Sequence, residues 1–104
     1  MEWAYTLQCG KELREAIEND VTFENCILSL TLLKTAFTEI HTQFPDEYDQ
    51  EAYIEDTTDC DYLLEEANSP VKFNVTEADI RKGIMKVLQT FWDLCNDLEI
   101  WVDT

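Results

Sequence analysis

The chain of 104 residues carries 23 acidic side chains against 7 Lys and Arg side chains, for a formal net charge of −16. This balance excludes nucleic acid and anionic membranes as direct partners, because phosphate binding requires Lys and Arg. Hydrophobic residues make up 45% of the sequence, which is too apolar for an intrinsically disordered acidic protein. We therefore expect one folded domain over residues 1–104, with a basic protein or a cation as its partner.

No apolar run reaches the ~18 residues of a membrane span, and the first residues lack the basic and apolar regions of a signal peptide. A cytoplasmic location is the resulting expectation. The cysteines Cys9, Cys26, Cys60 and Cys95 are far apart and form no C-x-x-C pair. In the cytoplasm this spacing favours buried free thiols over two disulfide bridges.

The first predicted elements are a short strand and a short helix. Apolar residues alternate with polar or small ones in residues 2–7, and a similar alternation returns in residues 71–75. These segments could pair as a minor two-stranded β ribbon, which would have to lie against helices because an isolated ribbon is marginally stable. Between them in the sequence, Leu13 and Ala16 belong to the apolar side of a helix predicted over residues 11–18.

A long central helix is predicted over residues 23–44, where apolar side chains recur at alternating spacings of three and four. Asp20 or Thr22 can cap its start, and Pro45 ends it because the residue before a proline is pushed out of the helical region. The apolar stripe consists of Phe23, Cys26, Leu30, Leu33, Phe37, Ile40 and Phe44.

The next segment is strongly acidic. No Lys or Arg occurs between Lys34 and Lys72, and ten of the carboxylates in this gap fall within residues 46–66. Apolar residues are interleaved with them, which predicts an ordered helical segment ending at Ser69-Pro70 rather than an acidic tail. Thr57 and Thr58 could divide this helix into two pieces. The ten carboxylates are Asp46, Glu47, Asp49, Glu51, Glu55, Asp56, Asp59, Asp61, Glu65 and Glu66.

A second long helix is predicted after Thr76, with an apolar stripe that runs to Trp101. Thr76 and Asp79 have the spacing of a capping box, and Gly83 inside the helix costs only ~1 kcal/mol relative to Ala. Its apolar stripe consists of Ile80, Ile84, Val87, Phe91, Leu94, Leu98 and Trp101. We expect a mainly α fold, in which the acidic segment packs its apolar side on the two long stripes. The two-stranded ribbon is an optional addition to this single helical domain.

No catalytic or cofactor signature is present, so we predict that the protein is not an enzyme and binds no cofactor. His41 is the only histidine, and a Cys/His pair would need an electropositive site, whereas the field of a −16 protein raises thiol pKa values. A calcium loop starting at Asp56 or Asp59 would lack its glycine. Zinc would require clustered His and Cys residues. We therefore predict no metal site.

Two features of the acidic segment favour a functional role. Counter-charges are missing, so that Glu47, Glu51 and Glu55 at i, i+4 spacing repel one another. The charge density is also high, because ten carboxylates on a helix of about 32 Å give one charge per ~3.2 Å. Phosphates follow one another at ~3.4 Å along a DNA strand. The segment therefore has the charge density of a nucleic-acid strand.

These features suggest a DNA mimic that occupies the basic nucleic-acid-binding surface of a nuclease or another DNA- or RNA-binding protein. The ten carboxylates would contact the partner, and Tyr48, Tyr53 and Tyr62 could supply apolar anchors or belong to the core. If the last helix lies alongside the acidic segment, its negative surface could be extended by Asp93, Asp97, Glu99 and Asp103.

In character the chain is similar to small anti-restriction and anti-CRISPR proteins of phages and mobile elements, which act in the cytoplasm of the host cell. No family motif accompanies this likeness, so no residue role is transferred. Two other hypotheses remain open. One is an immunity-type protein that neutralises a basic nuclease toxin. The other is an accessory protein whose charge serves solubility and whose apolar stripes could pair with a second copy as a homodimer.

Overall fold

The computed structural model describes residues 3–18 and 22–102, and it confirms the mainly α fold. None of the helices in these residues is long and apolar enough to cross a membrane. The elements are, in chain order, β1 (Tyr5–Thr6), α1 (Gly10–Glu18), α2 (Phe23–Gln43), α3 (Gln50–Asn68), α4 (Pro70–Phe73), α5 (Glu77–Leu98) and β2 (Ile100–Trp101).

The central position predicted for α2 is confirmed, since α1, α3 and α5 all pack against it. Thr22 caps the helix by accepting a hydrogen bond from the Asn25 N–H at 3.0 Å, and the alternative cap, Asp20, lies outside the described residues. At the other end the Phe44 N–H donates to the Ile40 carbonyl at 2.8 Å. Pro45 then directs the chain away from the helix, as expected.

α3 is one continuous helix, so the predicted division at Thr57 and Thr58 is wrong. The Thr57 hydroxyl donates to the Tyr53 carbonyl at 2.8 Å, one turn earlier. A threonine that bonds back in this way satisfies its hydroxyl within the helix, and its side chain is buried here. As predicted, the helix ends before Pro70, with Ser69 as its C-terminal cap.

The capping box predicted at the start of α5 is confirmed by both of its hydrogen bonds. The Asp79 N–H donates to the Thr76 Oγ1 at 3.2 Å, and the Thr76 N–H donates to the Asp79 Oδ2 at 2.9 Å. The extension of this helix to Trp101 is wrong, because Glu99 adopts the left-handed conformation with φ 54° and ψ 52°. This reversal ends the helix and directs Ile100 back towards the first strand.

A two-stranded sheet exists, but the predicted pairing of residues 2–7 with 71–75 is wrong. β1 pairs with β2 in parallel, with Tyr5 opposite Ile100 and Thr6 opposite Trp101. Parallel strands need a long connection, and here all five helices of the described chain lie within it. Residue 2 of the predicted strand lies outside the described residues.

Residues 71–75 belong to the short helix α4 and the turn that follows it. Pro70 occupies the first turn of this helix, where its fixed φ and missing N–H are compatible with helical structure. Asn74 then ends the helix in the left-handed conformation with φ 52°. An alternation of only three apolar residues is too short to distinguish such a turn from a strand, which explains the error.

The core lies between the inner sides of α2, α3 and α5. The Phe37 ring meets the Phe91 ring edge-on, with their centroids 5.6 Å apart. The prediction of buried free thiols is confirmed, since Cys9, Cys26, Cys60 and Cys95 are all free and buried. Burial raises the pKa of the Cys60 and Cys95 thiols to about 12, so both remain protonated and unreactive at neutral pH.

We expect Gly10→Ala to lower the free energy of unfolding by about 1–3 kcal/mol, because the added methyl group would overlap the backbone carbonyl of Val102. Gly83→Ala is the matched control. Its methyl group would meet only the end of the Leu63 side chain, and Ala is the better helix former by ~1 kcal/mol. Urea unfolding of both variants measures the difference. Equal stability of the two variants would contradict the close approach of Val102 to α1.

Candidate functional site

α3 displays the acidic segment on one elongated face of the protein. Its inner side includes Thr57, Cys60 and Ala67, which are buried, and it packs against α2 and α5. At ~1.5 Å per residue, the 19 residues of the helix extend over about 28 Å. The rest of the helix faces solvent and holds most of the predicted carboxylates.

The ten predicted carboxylates are divided between α3 and the turn before it. Asp46, Glu47 and Asp49 lie in the turn, and the Asp49 carboxylate caps α3 by accepting a hydrogen bond from the Ala52 N–H at 2.9 Å. This cap places a negative charge at the positive end of the helix dipole, which is favourable. The carboxylates on α3 are Glu51, Glu55, Asp56, Asp59, Asp61, Glu65 and Glu66.

The carboxylates of Glu51, Glu55 and Asp59, here called the carboxylate row, follow one another at intervals of four residues. All three side chains are exposed. Within the described residues, no Lys or Arg lies at salt-bridge distance from them. Residues four apart on a helix are neighbours, so these like charges repel one another in the isolated protein.

Among the described residues, a counter-charge lies at salt-bridge distance from one member of the acidic segment, Asp61. The Lys34 Nζ on α2 lies 2.6 Å from the Asp61 Oδ1, and this hydrogen bond is the main cause that raises the pKa of Lys34. Both side chains are about half exposed, so the pair contributes little to stability. Its effect is to neutralise one edge of the acidic face and leave the carboxylate row unpaired.

Two apolar side chains are exposed among the carboxylates. Ile54 is 50% exposed and Tyr62 is 60% exposed, and they lie eight residues apart on α3. With Thr58 between them they form a second row beside the carboxylate row, and Asp61 and Glu65 lie on its other side. An apolar row with carboxylates on both sides resembles the centre and rim of a protein interface.

Tyr48 lies in the core, so its predicted availability to a partner is corrected. It is buried, and its ring packs against Phe37 with the centroids 6.0 Å apart. Tyr53 is half-buried and stacks on His41 at 4.5 Å with nearly parallel rings. Of the three tyrosines considered from the sequence, Tyr62 presents the most ring surface to solvent.

The Tyr48 side chain also explains the position of one carboxylate. Its hydroxyl donates to the Asp56 Oδ2 at 2.7 Å, which turns Asp56 inward. Burial raises the pKa of Asp56, the hydrogen bond from Tyr48 lowers it, and the neighbouring Glu55 and Asp59 raise it further, with a net upward shift. Burial and the same hydrogen bond raise the pKa of Tyr48 far above its usual range.

Sequence reasoning missed the exposure of Ile54, although a signal was present. A helical wheel places Tyr53, Cys60 and Ala67 on the inner side, and Ile54 falls on the opposite side.

The last long helix, α5, packs against α3 as expected, with Leu63 beside Gly83. Asp93 and Asp97 are exposed near the end of α5, while Asp103 lies outside the described residues.

The available chemistry of this face is electrostatic. In the described part of the chain, no group of three or more His, Cys, Asp and Glu residues could hold a metal ion. The His41 Nδ1 lies 2.8 Å from the Tyr48 carbonyl oxygen, so this nitrogen carries the proton and donates. What the face offers to a ligand is a set of unpaired carboxylates with two apolar side chains among them.

Comparison with protein-family models, with curated proteins and with solved structures finds no match to this chain.

We expect Asp56→Asn to reduce the dependence of stability on pH. Because folding raises the pKa of Asp56, the folded state takes up its proton first as the pH falls. The contribution of this proton to the stability of the folded state is complete below ~3.9, the pKa of Asp56 in the unfolded chain. It is lost as the pH rises through the higher pKa of Asp56 in the folded protein. An amide at this position carries no charge and can still accept the Tyr48 hydrogen bond. The variant should therefore exceed the wild type in stability at pH 7, with the difference vanishing near pH 4.

Urea unfolding followed by circular dichroism at both pH values measures this effect. Asp59→Asn is the matched control, because it removes a neighbouring carboxylate that is exposed. If both variants change stability equally at both pH values, the effect belongs to surface charge in general and not to the buried position of Asp56.

Proposed function

We propose that the protein is an acidic inhibitor that mimics DNA and binds the basic nucleic-acid-binding surface of a nuclease or another DNA- or RNA-binding protein. The carboxylate row carries this proposal. It is a set of exposed like charges on a continuous helix, without a cation at salt-bridge distance in the described residues. A basic surface would relieve the repulsion within the row, so binding gains energy that the free protein lacks.

The charge density of α3 supports mimicry of a nucleic-acid strand. Seven carboxylates on a helix of about 28 Å give one carboxylate per ~4 Å, compared with ~3.4 Å per phosphate, and Lys34 neutralises one of them, Asp61. The spacing of carboxylates along the helix is wider than the sequence suggested, because three of the ten carboxylates lie in the preceding turn. An elongated row also suits a nucleic-acid channel better than the compact active site that an immunity-type protein would block.

The rigidity of the face is a second supporting feature. Cys60 and Ala67 fix the inner side of α3 in the core, and Asp49 caps its first turn. Binding would therefore order side chains and not the backbone, which limits the entropy lost on association. Ile54 and Tyr62 would add apolar contacts at the centre of the interface, where aromatic anchors contribute most.

We expect the triple charge reversal Glu51→Lys, Glu55→Lys and Asp59→Lys to weaken inhibition at least about tenfold, because it replaces attraction to a basic channel with repulsion. The assay measures displacement of fluorescent duplex DNA from a panel of purified restriction and RNA-guided nucleases. Wild-type protein should displace the DNA, with an affinity that falls steeply between about 50 and 200 mM NaCl.

The matched control reverses three exposed carboxylates away from α3, as Glu12→Lys, Glu15→Lys and Glu24→Lys. Both triple variants have the same net charge, so the control separates the carboxylate row from overall charge. Circular dichroism verifies that both variants are folded. Equal inhibition by the two variants would contradict a role for the row.

We expect Tyr62→Ala to weaken binding about tenfold while changing the free energy of unfolding by less than about 0.5 kcal/mol. The ring is largely exposed, so the fold does not depend on it. Met85→Ala, another exposed apolar residue but on α5, is the control. The same displacement assay measures both variants. Unchanged affinity of the Tyr62 variant would show that the apolar row does not contact the partner.

A further inference from the structure

The three tryptophans of the chain gather around one cavity at the end of the molecule that holds the sheet. The cavity has a volume of about 330 Å³ and is open on one side. No residue of α3 contributes to it, so it is separate from the acidic face. Its lining consists of Trp3, Arg14, Trp92, Cys95, Asn96, Ile100, Trp101 and Val102.

The left-handed residue Glu99 is what brings the indole rings together. It turns the chain after α5, so that Trp101 lies beside Trp3 with the ring centroids 5.5 Å apart and tilted by 51°. Trp92 comes from the second-last turn of α5 and packs on the Phe91 ring. Trp92 is 37% exposed and Trp101 is 40% exposed, so both side chains are partly open to solvent.

The polar side chains of the cavity differ in charge from the rest of the protein. Arg14 and Asn96 line it, and none of its lining residues is acidic, although the chain has 23 acidic residues. Arg14 already has a partner in the folded chain. Its guanidinium carries five N–H donors, however, and can hold more than one acceptor.

We propose that this cavity binds a small aromatic acid. The volume lies at the lower end of the range for small-molecule sites, which are mostly apolar with a few convergent polar groups. A flat ring can pack against the indole rings that line the cavity. A carboxylate or sulfonate on that ring can accept hydrogen bonds from Arg14, the one charged side chain in the lining.

Salt distinguishes this site from the acidic face. The net charge of −16 repels an anion at long range, and salt screens that repulsion. Binding of an aromatic anion should therefore tighten as salt is raised, whereas binding of a basic protein to α3 should weaken. The proposal does not depend on the inhibitor function, and failure of one leaves the other in place.

The test uses the full chain and the aromatic sulfonate 1-anilinonaphthalene-8-sulfonate, whose fluorescence rises in apolar sites. We expect saturable binding, with energy transfer from the tryptophans to the probe because all of them line the cavity. Arg14→Gln should weaken binding at least about tenfold through loss of the charged donor. Asn96→Trp should block the cavity without removing a core side chain.

Met85→Ala, which removes an exposed apolar side chain outside the cavity, is the control and should bind like the wild type. Circular dichroism and thermal unfolding verify that each variant is folded. Absence of binding to the wild type would overturn the proposal. Equal binding by the wild type and the Asn96 variant would also overturn it, as would weakening of wild-type binding by salt.

Discussion

Burial of the apolar side of α2 is the interaction on which the rest of the structure depends. Leu30, Leu33, Phe37 and Ile40 are fully buried, and three other helices pack around them. Each such side chain contributes roughly 1.5–3 kcal/mol when buried. Two like charges one turn apart on a helix cost only ~0.2–0.5 kcal/mol. A few core side chains therefore outweigh the repulsion along α3, and the protein can keep a uniformly acidic face without losing its fold.

The long helices could be predicted from the sequence because their signals are local and repeated. Apolar residues at alternating spacings of three and four define α2 and most of α5. Thr22 and Thr76 supply N-terminal caps that the sequence alone indicates. The sheet could not be predicted in this way. Its partner strand exists because Glu99 leaves the helix, and that conformation is stabilised by burial of Ile100 and Val102, a tertiary effect.

The candidate site follows the same division. The positions of the carboxylates can be read from the sequence, and helix geometry places Glu51, Glu55 and Asp59 in one row on the surface. Which carboxylate turns inward was not predictable, since Asp56 does so only because the turn after α2 carries the Tyr48 hydroxyl to it. The spacing of apolar residues assigns a tyrosine to the core or to the surface only when the neighbouring helix is known.

The pairing of β1 with β2 has a consequence for the order in which the protein forms. Tyr5 precedes every helix of the described chain, and its partner Ile100 follows all of them. α2 and α3, which are neighbours in sequence, can pack together while synthesis continues. The first strand must wait unpaired until translation has passed Trp101, because the loop that its pairing closes contains all the helices of the described chain. The sheet can thus be completed only after the five helices have been synthesised.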